Sequence, residues 1–202
     1  MKNNDLSEKS ADRDPFVQFN RWYNEHLEAG IAIPETVSLG TASASGRVSL
    51  RTVLLKGCDR KGFVFFTNYN SKKGVQLSEN HSAALLFYWP ESGRQVRIEG
   101  ITEKVPHNES AAYFSSRPRE SQISAWASEQ STIIPDRNFL EKRYDFYKTK
   151  FESREIGKPP HWGGFRIIPD FFEFWRDGEF RLHDRIIYTR MKNVWVMNRL
   201  AP

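Results

Sequence analysis

Residues 36–68 read TVSLGTASASGRVSLRTVLLKGCDRKGFVFFTN. Two apolar segments, TVSLGTAS and RVSLRTVLLKG, flank the turn signal ASG, and GFVFFTN follows CDRKG. Short runs of Val, Leu, Thr and Phe punctuated by Gly-containing turns predict an antiparallel meander. SAALLFYW and RQVRIEGITEKV lie either side of PESG and predict another hairpin, in which Gln95, Arg97 and Glu99 alternate with Val96 and Ile98 to give one polar and one apolar face. The last third returns to strand in GFRIIPDFFEFW, FRLHDRIIYTR and VWVMNRL. With no internal repeat, low-complexity tract or linker, the strands predict one domain over residues 14–202, mainly β with helices, closing into a sheet or barrel.

Helices flank these strands. DPFVQFNRWYNEHLEAG carries Asp14 as cap, Pro15 in the first turn and Gly30 at the exit, with Phe16, Phe19, Tyr23 and Leu27 on one stripe. NSKKGVQLSEN predicts a short helix capped by Asn70 or Ser71. NESAAYFSS and SQISAWASEQ are two helical pieces, because Pro118 disfavours helix at Arg117. DRNFLEKRYDFYKTKF starts at Asp136 and aligns Leu140, Tyr144, Tyr147 and Phe151.

Composition narrows the function classes. The 202 residues include 30 basic and 25 acidic side chains, a modest surplus of +5 that suits an anionic small molecule as well as nucleic acid. Cys58 stands alone, so no internal disulfide forms and a cytoplasmic location is expected. No apolar run reaches the roughly 20 residues of a membrane helix. MKNNDLSEKSAD has no signal-peptide core, and residues 1–13 are expected to be a disordered tail. The five histidines lack metal-ligand spacing, and GxGxxG, GxxxxGK and GxSxG are absent.

What remains is a set of anion-holding features. Lys72 and Lys73 occupy a helix first turn, where positive side chains are unfavourable unless an anion is held there too. Arg51 and Lys56 bracket RTVLLK and face opposite sides of a regular strand. Tyr113, Arg117 and Ser121, four apart, offer a guanidinium with two hydroxyls, suited to phosphate. In FRLHDRII, alternation puts Arg181, His183 and Arg185 on one strand face, each roughly 6.5–7 Å from the next. Each pattern has a plainer reading. The lysines also suit a solvated helix end, and cross-strand salt bridges explain the last row slightly better than an anion site on spacing alone.

Together, RTVLLKG, FFTNYNSKKG, LLFYWPESGRQVRIEG, YFSSRPRESQISAWASEQS, WGGFRI, FEFW, RLHDR and the terminal RLAP resemble the pyridoxamine 5'-phosphate oxidase family, in order from Asp14 to Pro202. The resemblance implies a split β-barrel homodimer with FMN at the subunit interface. It implies oxidation of pyridoxamine or pyridoxine 5'-phosphate to pyridoxal 5'-phosphate, with dioxygen reduced to hydrogen peroxide. Carried over motif by motif, Arg51, Thr52, Val53, Leu54, Phe66, Thr67, Lys72, Lys73, Gln95, Gln130, Ser131, Trp175 and Arg185 correspond to FMN contacts. Lys56, Tyr113, Arg117 and Ser121 correspond to the substrate-phosphate pocket, and Arg181 and His183 to catalytic residues that hold the pyridine ring against the flavin. Upstream of the first helix the resemblance fails, because the Arg-Arg-x-Tyr type segment of many members is absent; substrate affinity is therefore expected not to depend on the tail. Two competing readings are a flavin- or product-binding barrel without oxidase activity, and a basic barrel that binds single-stranded nucleic acid. The complete substrate set argues against the first and the motifs against the second, so neither nucleic-acid nor membrane partners are expected, and no metal.

Overall fold

The structure, a computed structural model, describes residues 6–30 and 33–202. Helix α1 (Pro15–Glu28) opens with the Asp14 side chain accepting a hydrogen bond from the Phe16 N–H, and the chain leaves it through Gly30 at φ +71°. Its buried stripe is Phe16, Phe19 and Trp22. Leu27, expected on that stripe, is 40% exposed, because the inner face follows the 16-19-22 spacing and Tyr23 lies at its edge.

The strands are β1 (Thr36–Ala42), β2 (Val48–Leu54), β3 (Gly57–Asp59), β4 (Gly62–Asn68), β5 (Ser82–Trp89), β6 (Arg94–Lys104), β7 (Trp162–Arg176), β8 (Asp184–Met191) and β9 (Val194–Arg199). They form one sheet in the order β2-β1-β5-β6-β7-β4-β3, with β8 added to β7 and β9 to β8. The continuous meander read from residues 36–68 is therefore two hairpins, β1–β2 and β3–β4, at opposite ends of the strand order. The two residues between them join those ends. Leu55 N–H donates to Glu35 O (2.8 Å) on the β1 side, and Lys56 N–H donates to Val64 O (2.8 Å) on β4. This handover curls the sheet into the expected split barrel.

The fifteen residues of β7 pair with β6 along almost their whole length, with β4 over Trp162–Ile167 and with β8 over Phe171–Arg176. Pro169, which has no N–H for a ladder, falls in the gap between the β4 and β8 pairings, where the β6 register shifts at Glu99/Gly100. A side chain on Gly100 would meet Ile168 O at 2.1 Å, so the two strands cross too closely there for any other residue. Phe19 of α1 plugs the barrel against Phe63 and Phe87, with ring centroids 4.9 and 5.0 Å away.

Helix α2 (Lys72–Glu79) is capped by Ser71. Helices α3 (His107–Ser115) and α4 (Arg119–Ala127) are separated at Arg117–Pro118 as the sequence predicts, and α5 (Arg137–Lys150) is capped by Asp136. These last three enclose a second apolar cluster of Phe114, Ile123, Ile156 and Trp162, onto which Tyr144, Tyr147 and Phe151 pack.

Two expectations need correction. FRLHDRIIYTR is not one strand: Glu179–Arg181 form a tight turn with Phe180 and Arg181 at φ +54° and +63°, and β8 begins only at Asp184. Successive left-handed residues break the two-residue alternation, so Arg181, His183 and Arg185 do not share a strand face. The expected tail also acquires structure over residues 6–13; residues 1–5 lie outside the described part. Leu6 and Ala11 are buried, Tyr188 Oη donates to Asp12 O (2.5 Å), and Arg199 bonds Glu8 and Leu6 O.

Gly74, near the start of α2, provides a test of this packing. A Cβ there would lie 2.2 Å from Tyr69 O. Gly→Ala inside a helix ordinarily stabilises by roughly 1 kcal/mol; here Gly74→Ala is expected to destabilise by roughly 1–3 kcal/mol in urea unfolding. A stabilised variant would contradict the close approach of α2 to the β4–α2 turn.

Candidate active site

A cleft of about 550 Å3 opens where the β2–β3 handover, the end of β4, the start of α2 and helices α3 and α4 meet. Of the expected FMN contacts it gathers Thr52, Val53, Leu54, Phe66, Thr67, Lys73 and Gln130, and of the expected phosphate pocket all four, Lys56, Tyr113, Arg117 and Ser121. Residues spread over some eighty positions of sequence converge because β4 hands directly into α2 and the break at Arg117–Pro118 lets α3 and α4 present Tyr113 and Ser121 to the same cleft.

Lys73 Nζ donates to Gln130 Oε1 (2.8 Å), Thr67 Oγ1 (3.1 Å) and the capping Ser71 Oγ (3.3 Å). Among the described residues no carboxylate pairs with it. Burial, and then the charge of Arg51, lower its pKa to about 8. In the same cleft, three near-parallel rings stack: Phe66 lies 4.0 Å from Tyr113 and 5.4 Å from Trp162. The Arg117 guanidinium sits 4.9 Å over Trp162, and its Nη1 is buried with no hydrogen-bond partner among the described residues. Burial lowers the pKa of Arg117. It raises that of Tyr113, against the opposing charge of Arg117 and with that of Glu35. Lys56 Nζ stands 3.7 Å from Glu35 Oε1. Two desolvated cations without carboxylates, one leaving a donor unmatched, are suited to anionic groups.

The other expected residues lie elsewhere. Arg51 turns toward β1 and α2, donating to Leu39 O, Thr41 Oγ1 and Gln76 Oε1, and reaches the cleft only through its field at Lys73. Lys72 is exposed on α2. Ser131, at φ +72°, lines a neighbouring hollow with Gln130. Gln95, Trp175 and Arg185 occupy adjacent positions across β6, β7 and β8, at the far end of β7. There the His183 ring lies 4.7 Å from Trp175, its Nδ1 3.1 Å from Asp177 Oδ1, while Arg181 is exposed in the preceding turn. Apart from Arg51, Lys72 and Ser131, the expected set therefore divides into two groups, one at the start and one at the far end of β7.

Trp162, Asn68, Ser124, Ala125 and Ser128 also line the cleft and were not singled out by the sequence. For Trp162 the available signal was its position at the start of WGGFRI, an aromatic entering a strand from a loop. Burial, then the charge of Asp59, push the Cys58 thiol up to about 12, which disfavours the thiolate a nucleophile needs.

Comparison with known proteins identifies the family. A sequence profile described as pyridoxamine 5'-phosphate oxidase matches residues 23–149, and one described as the pyridoxine 5'-phosphate oxidase C-terminal dimerisation region matches residues 162–202. Pyridoxine/pyridoxamine 5'-phosphate oxidases from Burkholderia multivorans and Nostoc punctiforme are 52% and 48% identical over 98% of this chain and 93% and 92% of theirs. The crystal structure of PhzG from Burkholderia lata in complex with tetrahydrophenazine-1-carboxylic acid superposes with a TM-score of 0.92 at 29% identity, covering 98% of both chains. A pyridoxamine 5'-phosphate oxidase-related, FMN binding protein from Nostoc punctiforme shares the fold, with a TM-score of 0.72 at 17% identity over 94% of this chain and 98% of its own. With both profiles and near-full-length relatives at about half identity converging on one answer, the chain belongs to the pyridoxamine 5'-phosphate oxidase family.

Proposed function

We propose that this protein is an FMN-dependent oxidase that converts pyridoxamine 5'-phosphate and pyridoxine 5'-phosphate to pyridoxal 5'-phosphate, with dioxygen reduced to hydrogen peroxide. The observation that carries this reading is a pair of desolvated cations lining one cleft, Lys73 and Arg117, neither paired with a carboxylate among the described residues. They provide for two separate phosphates, one on the cofactor and one on the substrate. Tetrahydrophenazine-1-carboxylic acid, bound by PhzG, carries a carboxylate and no phosphate, and the full set of Lys56, Tyr113, Arg117 and Ser121 favours a phosphorylated substrate here.

FMN fits the residues present. Lys73, Thr67 and Gln130 would hold its phosphate end, and Thr52, Val53, Leu54 and Phe66 would lie along it. When bound, FMN supplies the two-electron acceptor that the substrate's C4' carbon requires and that dioxygen restores. The chain's own work is positioning. Arg117 and Lys56 hold the substrate phosphate as charge-assisted donors, Tyr113 and Ser121 add hydroxyls, and the stack of Phe66, Tyr113 and Trp162 excludes water beside them. We infer that a second copy of the chain presents Gln95, Trp175, Arg181, His183 and Arg185 to this cleft, because the far end of β7 cannot reach it within one chain. His183 and Arg181 then orient the pyridine ring, and the imidazole is available for a proton at the substrate's C4' substituent.

Purified protein given FMN and pyridoxine 5'-phosphate in air is expected to form pyridoxal 5'-phosphate and equal hydrogen peroxide. Arg117→Met and Lys56→Met should each raise KM roughly ten- to a hundredfold, the loss of one or two charge-assisted bonds, with FMN retention unchanged. Absence of turnover with FMN supplied, or variants that lose FMN instead, would contradict the reading.

Lys73 sets a pH dependence. Its pKa of about 8 is depressed, so it is charged below that pH and neutral above it. Above pH 8, holding a phosphate therefore requires proton uptake, and FMN affinity should fall as pH rises, by at most about tenfold per unit. Flavin fluorescence titrations from pH 7 to 9.5 should show this fall, and Lys73→Met should bind more weakly but with a flatter profile. An unchanged slope in the variant would assign the dependence to another group.

A further inference from the structure

We propose that Glu173 is a positioning residue for the cofactor: it fixes the plane of the Arg185 guanidinium so that its free edge faces the flavin. This rests on the assignment of Arg185 as an FMN contact. Glu173 lies in β7 with its side chain 4% exposed, the least accessible carboxylate in any ion pair among the described residues. Its Oε1 accepts from Arg185 Nε (2.7 Å), and its Oε2 accepts from Arg97 Nε (3.1 Å) and Nη2 (2.6 Å). Burial pushes its pKa up, but the hydrogen bonds and charges of Arg185 and Arg97 outweigh this and leave it below the ordinary carboxylate value, so it stays ionised.

The other bonds of Arg185 complete the clamp. Nη1 donates to Ala201 O (2.8 Å), and the Leu200 N–H donates to Arg185 O (3.0 Å), so the chain's last residues grip both its side chain and its backbone. Two of the three guanidinium nitrogens are thereby fixed, and Nη2 makes no hydrogen bond among the described residues. Arg97 braces the carboxylate from behind, itself held by Glu99 Oε1 (2.6 Å) and standing 5.1 Å over the Phe171 ring. An arginine ordered in this way has already lost the side-chain freedom that binding would otherwise cost. A buried ion pair contributes little to net stability once desolvation is counted, so orientation is the better account of why a carboxylate sits under a ligand-facing arginine.

A double-mutant cycle on FMN binding separates aim from scaffolding. FMN is titrated into wild type, Glu173→Gln, Arg185→Met and the double variant, followed by flavin fluorescence quenching, with thermal unfolding in parallel. Glu173→Gln is expected to raise the FMN Kd roughly tenfold, the scale of one charge-assisted bond, and to add nothing in the Arg185→Met background while still lowering Tm. Glu173→Asp, which keeps the charge but withdraws the carboxylate by one methylene, runs the same cycle if Glu173→Gln does not fold. An unchanged Kd in the Glu173 variant when Arg185→Met alone weakens FMN would overturn the inference. Equal losses in both backgrounds would also overturn it, as they would mark a merely structural residue. If Arg185→Met itself leaves the Kd unchanged, the assignment of Arg185 fails, and the inference fails with it.

Discussion

Pairing along β7 is the constraint from which the rest of the molecule follows. One strand is zipped to β4 at its start and to β8 at its end, with β6 alongside from Phe165 onward. Its start carries the wall of the cleft, Trp162, next to Phe66 and Thr67 of β4; its end carries Trp175, next to Gln95 and Arg185. Gly163 and Trp175, which mark these two places, are twelve residues apart, roughly 40 Å of extended chain. The bulge at Gly100 and Pro169 bends the strand to follow the barrel but does not fold its ends together. On the proposed function a single chain holds two incomplete sets of ligand-facing groups, a reading that the match to a dimerisation region over residues 162–202 supports.

The two sets differ in electrostatic character. In the cleft, Lys73 and Arg117 are desolvated and unanswered by carboxylates among the described residues, a state whose cost a bound phosphate would relieve. At the far end of β7, Arg185 is answered by Glu173 and His183 lies beside Asp177. Side chains already held by partners are suited to orienting a ring, where geometry matters more than net attraction. Unbalanced charges are suited to capturing an anion from water. The proposed division of labour, phosphates held by one copy and rings oriented by the other, follows this contrast.

Much of this was legible in the sequence because the signals were local. Asp14, Ser71 and Asp136 cap the helices they were expected to cap, Pro118 breaks α3 from α4, and the hairpins turn at ASG and PESG. Tyr113, Arg117 and Ser121 do line one cleft, but not as consecutive turns of one helix: Tyr113 lies in α3, Arg117 in the break before Pro118 and Ser121 in α4. Long-range register was not legible. Nothing in GFVFFTN states that it will pair with WGGFRI a hundred residues later rather than with RVSLRTVLL beside it. Nor does the alternation in FRLHDR reveal that Phe180 and Arg181 adopt left-handed backbone, since that turn is closed by a contact between the Gly178 N–H and the His183 ring. The salt-bridge reading of the same stretch was half right: Arg185 does join a ladder with Glu173 and Arg97, while Arg181 does not. Docking of residues 6–13 was hidden for the same reason, because its partners, Tyr188 and Arg199, lie at the other end of the chain.

The claim that each site is shared between two copies is tested most directly by complementation. Arg117→Met disables the cleft and His183→Ala disables the far end of β7. Assayed at a substrate concentration well below the raised KM of Arg117→Met, each variant alone is expected to form a dimer with little activity. Co-expressed in equal amounts, half of the dimers are mixed and each mixed dimer holds one intact site, so activity should recover to roughly a quarter of wild type. A mixed preparation that dimerises and binds FMN yet stays as inactive as its parents would place both groups in the site of a single chain and contradict the account.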